Sequence, residues 1–311
     1  GAEIYLMECM RRWQEQASLT LYSTNIDNEI LEEFGIDTDR LEQVILPEIE
    51  GEERQFDLIE DMLILPRIWE FSLKRHDVYF LNGTGAHLVR CSPSVYMCHE
   101  PLRMLYDLRY QYAVDGGSAE IHIYPEQKYR RAEVRKMEIQ LELIEALDRR
   151  GEYSLMAVNS QSMSRYVHNV YGRTADLIAY PGINPVAQTS VPAMGKRAVY
   201  VGRLWHHKRI DLLVRAIAEL DEGYLDIVGQ GPELENLQQL SARLGVQDRV
   251  VFHGKLSVEA VAALYESATC GAYVPLREPF GMMPLEVAAF GRPVIVAPEG
   301  GYSEILDERA V

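Results

Sequence analysis

Cysteine, tryptophan and cations are all scarce in this chain of 311 residues. Its four cysteines, Cys9, Cys91, Cys98 and Cys270, are spaced for neither a zinc site nor a redox pair. A disulfide framework is therefore not expected. Three of the four fall in apolar runs, which predicts reduced, buried thiols and a cytosolic compartment. No apolar run is long enough to cross a bilayer, and the first residues carry no leader-like pattern. The 31 Lys and Arg face 47 Asp and Glu, a formal net charge of -16. That balance argues against nonspecific binding to nucleic acid. The deficit is uneven: from Lys196 onward there are 12 cations and 16 acids, a net of -4, which leaves -12 for residues 1–195. Short-period repeats and low-complexity tracts are also missing.

What remains is ordinary globular composition, 47% hydrophobic and 25% charged, at a length that suggests two domains. Residues 2–16, "AEIYLMECMRRWQEQ", carry a helical apolar period. Short apolar runs at 18–24, 43–47, 77–83, 94–99, 154–160 and 176–182 read as strands, with helical patterns at about 57–74, 128–149 and 160–171. Apolar strands alternating with helices predict a parallel sheet covered on both faces. The stretch 184–196, "NPVAQTSVPAMGK", is the linker candidate. Beyond it the rhythm is cleaner. Strands are expected at 197–203, 224–229, 249–254, 270–275 and 293–298, and helices at 207–220, 232–244, 257–267 and 283–290. This is a second doubly wound α/β domain. The expectation is an N-terminal domain over 1–190 and a C-terminal domain over 191–311, in a chain cut at both ends, since it enters a helix at once and stops after a helix start.

Open α/β sheets bind ligands beyond the C-terminal ends of their strands. In the second domain those ends carry Gly202 and Arg203, with Lys208 opening the next helix, then "GQGPE" at 229–233, and finally "REPFGMMPLE" at 277–286. Cations and helix N-termini suit a diphosphate. The carboxylates of Glu278 and Glu286, eight positions apart, suit hydroxyl groups, because a carboxylate accepts two hydroxyl protons at once. Both kinds of group together fit a nucleotide sugar. Each element also has a plainer reading. Arg203 and Lys208 alone would be solvated charges, Glu278 a loop acid near a helix start, and Glu286 a surface helix position. "GQGPEL" has Leu234 where a dinucleotide fingerprint has its third glycine. The functional case rests on the features sharing one sheet edge, in order.

The segments "VGRLWHHKRIDLLVRAI", "IVGQGPELENL" and "EPFGMMPLEVAAFGRPVIVAPEGGYSEI" resemble the retaining glycosyltransferases of family 4, which have the GT-B fold. The resemblance is strong over about 195–311 and looser through "VYMCHEPLRMLYD", "VNSQSMSRYV" and "YPGIN". It implies two Rossmann-like domains facing across a cleft and a metal-independent transfer that needs no cofactor beyond its nucleotide-sugar co-substrate. By resemblance Arg203 and Lys208 would bind the donor diphosphate and Glu286 the ribose. Glu278 would face the transferred sugar, and the backbone N–H groups of Phe280, Gly281 and Met282 would contact the sugar or phosphates. Gly229, Gly231 and Pro232 would shape the turn near the nucleotide. His99 matches the histidine that reaches the donor sugar; its plainer reading is a satisfied interior histidine. "HKRID" and "CHEPLRMLYD" resemble the branch that uses GDP-mannose, with His207 in place of a tyrosine and Glu100 in place of a small residue.

Two other signals are weighed beside these. "IDTD" at 36–39 contains an Asp-x-Asp, but in a polar segment, and reads as a solvated loop. "KYRRAEVRK" at 128–136 holds five cations in an acidic half. It reads as a solvated helix face, with a contact to anionic lipid headgroups at the inner membrane face, or to a lipid-linked acceptor, as its functional alternative. The expected function is transfer of a sugar, mannose foremost, to a glycan or lipid-linked acceptor in polysaccharide biosynthesis. The alternatives are a nucleotide-binding chain without transfer activity and an NAD(P)-linked oxidoreductase. The oxidoreductase would want an acid at the end of the strand after "GQGPEL", where this chain has His253.

Overall fold

The structure is a computed structural model, and it describes residues 2–48, 58–83, 85–101, 142–143, 145–183, 195–276, 278–298 and 300–306. The basic segment 128–136, most of the linker candidate and the expected domain boundary lie outside the described residues. The chain divides into two compact units. The first comprises Gly1–Asn159 and Met163–Ala179, the second Ser160–Ser162 and Tyr180–Val311.

The first unit begins with α1 (Ala2–Trp13) and β1 (Thr20–Ser23). The short α2 (Asn28–Glu33) follows because Asp27 caps it, its Oδ1 accepting from the N–H groups of Glu29 at 3.0 Å and Ile30 at 3.3 Å. Gly35 closes it in the left-handed conformation, φ 74°. Next come β2 (Glu42–Ile45), α3 (Leu58–Glu70), β3 (Tyr79–Asn82), a 3-10 turn (Ala86–Leu88), β4 (Ser94–Cys98), β5 (Leu155–Val158), α4 (Gln161–Tyr171, whose first residues belong to the second unit) and β6 (Leu177–Ile178). Among the described residues these strands form two parallel sheets rather than the one expected. One is β1-β2 and the other β3-β4-β5-β6. Met10, Leu31, Ile36 and Leu41 pack one core cluster, and Tyr96, Cys98, Met156, Val158 and Val167 another. Cys98 alone is fully buried, and burial pushes its thiol up to about 12. Cys9, Cys91 and Cys270 are only half-buried, so the expectation of three buried thiols is corrected to one. "IDTD" is a polar turn, with Asp37 Oδ1 accepting from the Asp39 N–H at 3.2 Å.

The second unit contains β7 (Arg197–Val201), a 3-10 turn (His206–Lys208), α5 (Ile210–Glu219), β8 (Tyr224–Val228), α6 (Leu234–Arg243), β9 (Val250–Gly254), α7 (Val258–Ser267), β10 (Cys270–Tyr273), α8 (Met283–Ala289), β11 (Val294–Val296) and a last 3-10 turn (Gly301–Glu304). The sheet is parallel in the order β11-β10-β7-β8-β9. The chain therefore leaves β7 in one direction through β8 and β9, then returns to lay β10 on β7's other side. A reversal of that kind opens a crevice at the C-terminal ends of the two central strands. Apolar side chains from both sheet faces, among them Val199, Ile210, Val214, Leu225, Ile227, Leu237 and Val287, make one core. A polar network lies inside it. Asp226, 1% exposed on β8, accepts from Arg197 Nη1 at 2.8 and 2.7 Å and binds His253 Nε2 at 2.7 Å. His253 is the extra residue of an irregularity where Val228 pairs with Gly254. Buried charge is tolerable only when paired this way.

Candidate functional site

The switch point between β7 and β10 sets the site. The loop after β7 and the loop after β10 are tied by a hydrogen bond from the Leu276 N–H to the His207 carbonyl, 2.8 Å. Lys208 does not open a helix as expected. It ends a 3-10 turn, Arg209 takes the left-handed conformation at φ 51°, and α5 starts only at Ile210. The turn aims Lys208 at β10. Its Nζ meets Glu278 Oε2 at 2.7 Å and the Tyr273 hydroxyl at 3.3 Å. Both charged side chains are largely buried, 15% and 10% exposed. The sequence thus placed two residues at one sheet edge, and the fold joins them as an ion pair.

Arg203 is exposed. Its carbonyl accepts from the Tyr200 hydroxyl at 3.1 Å. Glu286 sits on α8 and is half-buried rather than a surface helix position. Burial raises its carboxyl pKa, partly offset by the Tyr265 hydroxyl, which donates to Oε2 at 2.8 Å. Phe280 is buried and Met283, beginning α8, is buried behind it. The Ser160 hydroxyl donates to the Pro279 carbonyl at 3.2 Å and the Tyr302 N–H to the Phe280 carbonyl at 2.9 Å, which fixes the turn. Gly281 has φ 86°, and a Cβ there would stand 2.5 Å from Tyr302 Cδ1. Met282 follows as the residue before the helix.

Gly229 and Gly231 lie where β8's loop meets β7's. The Leu204 N–H donates to the Gln230 carbonyl at 2.9 Å, and the Glu233 N–H to the Leu204 carbonyl at 3.0 Å. At Gly229, φ 134°, a Cβ would lie 1.9 Å from the Gly202 carbonyl oxygen, and at Gly231 it would lie 2.3 Å from that of Leu204. Only glycine permits main chain to touch main chain here. Pro232 follows directly. His253, which stands where the oxidoreductase reading wanted an acid, is engaged with Asp226.

In the first unit His99 follows β4. Its Nε2 lies 2.8 Å from Asn82 Oδ1, at the end of β3, and its carbonyl accepts from Asn159 Nδ2 at 3.0 Å, just past β5. An amide oxygen only accepts, so Nε2 carries the proton and Nδ1 keeps its lone pair. Tyr5 of α1 packs edge-on against the ring at 5.2 Å. Burial lowers the pKa of His99 to about 4, so the ring stays neutral.

Three tyrosines escaped the sequence reading: Tyr200, Tyr273 and Tyr302. Tyr200 and Tyr273 stack at 6.1 Å, and Tyr302 meets Tyr273 edge-on at 6.0 Å. Tyr265 beside Glu286 was missed too. The signal was slight, a hydroxyl-bearing aromatic within strands and a helix whose apolar pattern explained it already. Among the described residues no cluster of His, Cys, Asp or Glu could hold a metal ion, and no helix is long and apolar enough to cross a membrane.

Comparison with known proteins agrees with the fold. Residues 186–310 match the family described as Glycosyl transferases group 1. An uncharacterized glycosyltransferase of Methanocaldococcus jannaschii is 38% identical over 114 residues, 36% of this chain and 29% of the relative. A D-inositol 3-phosphate glycosyltransferase of Nocardia farcinica is 33% identical over 185 residues, 51% of this chain and 41% of the relative. A GDP-mannose-dependent alpha-(1-6)-phosphatidylinositol monomannoside mannosyltransferase of Mycolicibacterium smegmatis is 37% identical over 129 residues, 37% of this chain and 34% of the relative. The matched segments thus span less than half of these relatives. Among solved structures, HepE of Anabaena, in complex with UDP and glucose, aligns at a TM-score of 0.68 and 20% identity, covering 99% of this chain and 80% of HepE. Sucrose-phosphate synthase of Thermosynechococcus elongatus aligns at 0.72 and 19% identity, covering 99% and 78%. These likenesses show the fold, which is GT-B.

Proposed function

We propose that this chain is the working part of a retaining glycosyltransferase that takes a sugar from a nucleotide-diphosphate donor. The observation that carries the reading is the Lys208–Glu278 pair at the β7/β10 switch point, 2.7 Å apart. It puts a cation for a diphosphate beside a carboxylate for sugar hydroxyls. Arg203 adds a second cation for the diphosphate, and Glu286 holds the ribose. Gly229, Gly231 and Pro232 shape the turn near the nucleotide, and the backbone N–H groups of the turn Phe280–Gly281–Met282 contact the sugar or phosphates. His99, neutral and orientated by Asn82, offers the sugar its Nδ1 lone pair as acceptor of a hydroxyl's hydrogen bond. In transfer, the bond from the anomeric carbon to the diphosphate oxygen breaks while one to the acceptor oxygen forms on the same face. The acceptor proton passes to the leaving oxygen. Arg203 and Lys208 stabilise the charge that grows there, a preorganised electrostatic contribution.

Mannose from GDP-mannose is the sugar we favour. "HKRID" and "CHEPLRMLYD" support it, together with the likeness to the mannosyltransferase of Mycolicibacterium smegmatis. Likeness to D-inositol 3-phosphate glycosyltransferases supports a second reading, in which the donor differs and the acceptor is a polyol phosphate. In either reading the acceptor is a glycan or a lipid-linked or phosphorylated molecule, the five cations of 128–136 suit an anionic group on it, and the chain works in the cytoplasm at or near the inner membrane face. Calorimetric titration with GDP-mannose and a set of UDP-sugars decides. Binding of GDP-mannose, lost in Lys208→Ala and Glu286→Ala, is the expected result. Binding of a UDP-sugar alone would overturn the mannosyl reading, and binding of none would overturn the transferase reading.

A further inference from the structure

The Lys208–Glu278 pair does not stand by itself. Tyr273, the last residue of β10, is 5% exposed, so its hydroxyl must be satisfied inside the protein. The hydroxyl accepts from Lys208 Nζ at 3.3 Å, and its own proton has the Glu278 carboxylate, bound to the same ammonium, as its neighbour. Lys208 Nζ in turn donates to Glu278 Oε2 at 2.7 Å. The three polar groups form one cluster about the Lys208 ammonium. The aromatic ring is held as firmly as the hydroxyl. Tyr200 stacks on it, Tyr302 meets it edge-on, and a Cβ on Gly281 would lie 3.1 Å from its Cε1. Burial raises the hydroxyl pKa, so the proton stays on and available to the carboxylate.

We infer that Tyr273 is a positioning residue for donor transfer, resting on the glycosyltransferase reading above. A diphosphate entering this crevice competes for Lys208. When its ammonium turns to the phosphates, Glu278 loses its charge partner while still largely enclosed, and a carboxylate stranded that way is costly. The Tyr273 hydroxyl, fixed by its buried ring, is a neighbour that stays in the same place before and after the exchange. It keeps the carboxylate aimed while the sugar hydroxyls take over the positions Lys208 left. The nucleotide and diphosphate supply most of the ground-state affinity, so the hydroxyl matters most once the sugar must be held for reaction.

The test is Tyr273→Phe, which keeps the ring between Tyr200 and Tyr302 and removes only the hydroxyl. With a donor that the wild type uses, kcat should fall about tenfold while donor KM moves less than about twofold, as expected for one hydrogen bond to a charged group lost in the reacting complex. The thermal midpoint should stay close to the wild type, which a purely structural role for the hydroxyl does not predict alongside a kcat loss. In a Glu278→Gln background the same change should cost less than about twofold, because contacting groups are not additive. Tyr273→Phe with wild-type kcat, or losses that simply multiply in the double variant, overturn the inference and leave the transferase reading standing. Wild-type protein that neither binds nor turns over any nucleotide sugar overturns both. A phenylalanine variant that unfolds also counts against it, since the hydroxyl would then serve the fold.

Discussion

His99 offers a prediction whose size follows from the structure. In an unfolded chain a histidine titrates near its ordinary value of 6.5, while burial depresses His99 to about 4 in the fold. The unfolded state therefore binds the extra proton between these values. The sign is that of a depressed group: its contribution is fully present above about 6.5 and is lost as pH falls through about 4. Linkage puts the loss at about 2 kcal/mol between about pH 7 and about pH 5. Urea unfolding at the two pH values measures it. Trp205→Phe would leave Trp13 and Trp69, both in the first unit, as the only fluorescent reporters of their kind. His99→Asn removes the titration while keeping a polar side chain, and its stability should fall by about 2 kcal/mol less than the wild type over that interval. Glu286, whose carboxyl pKa is raised, titrates in both proteins and cancels in the difference. NMR titration of the His99 ring is the direct check. A ring that titrates near 6.5, or two parallel stability curves, would refute the claim that it is held neutral.

Three further outcomes are expected. Asp226→Ala leaves Arg197 and His253 without their shared carboxylate, and should lower the stability of the second unit by about 3–5 kcal/mol in denaturant unfolding. Gly229→Ala must open the seam with Gly202; a loss of about 2 kcal/mol or more, together with weaker nucleotide binding by calorimetry, is predicted from strain and overpacking. Tyr265→Phe removes the donor to Glu286, which should cost about 1–2 kcal/mol at neutral pH and push the Glu286 carboxyl pKa higher still, measurable by carboxyl NMR.

The second unit was legible because its strands read as short, mostly apolar runs between regular helical patterns, the central ones well buried. β8 was expected at 224–229 and found at Tyr224–Val228, and α7 was expected at 257–267 and found at Val258–Ser267. The two loops that form the switch point were legible as well, since Gly, Lys and Glu at strand ends are hard to explain as core. What the pattern could not show was pairing. Nothing local told that β1 and β2 would form a sheet of their own, or that Lys208 would stop in a 3-10 turn and reach Glu278. α2 was overlooked because six residues carry little period, and its start depends on the Asp27 cap. The tyrosines were hidden by their own amphipathy: the ring satisfies an apolar position while the hydroxyl does unrelated work at its far end. Asp226 inside β8 breaks the apolar run, and only the fold reveals the two partners that make it tolerable.

The seam of Gly202, Gly229 and Gly231 has a consequence for how such a protein can change. Where main chain lies directly on main chain, there is no side chain to exchange and no room to add one. That floor is closed to substitution, whatever molecule lies above it. Any drift in ligand preference must be carried by neighbours that do have side chains in reach of the crevice, such as Gln230 between the two glycines or His207 and Lys208 on the opposing loop. The rigid part of the site and its variable part are thus set residue by residue along the same two loops.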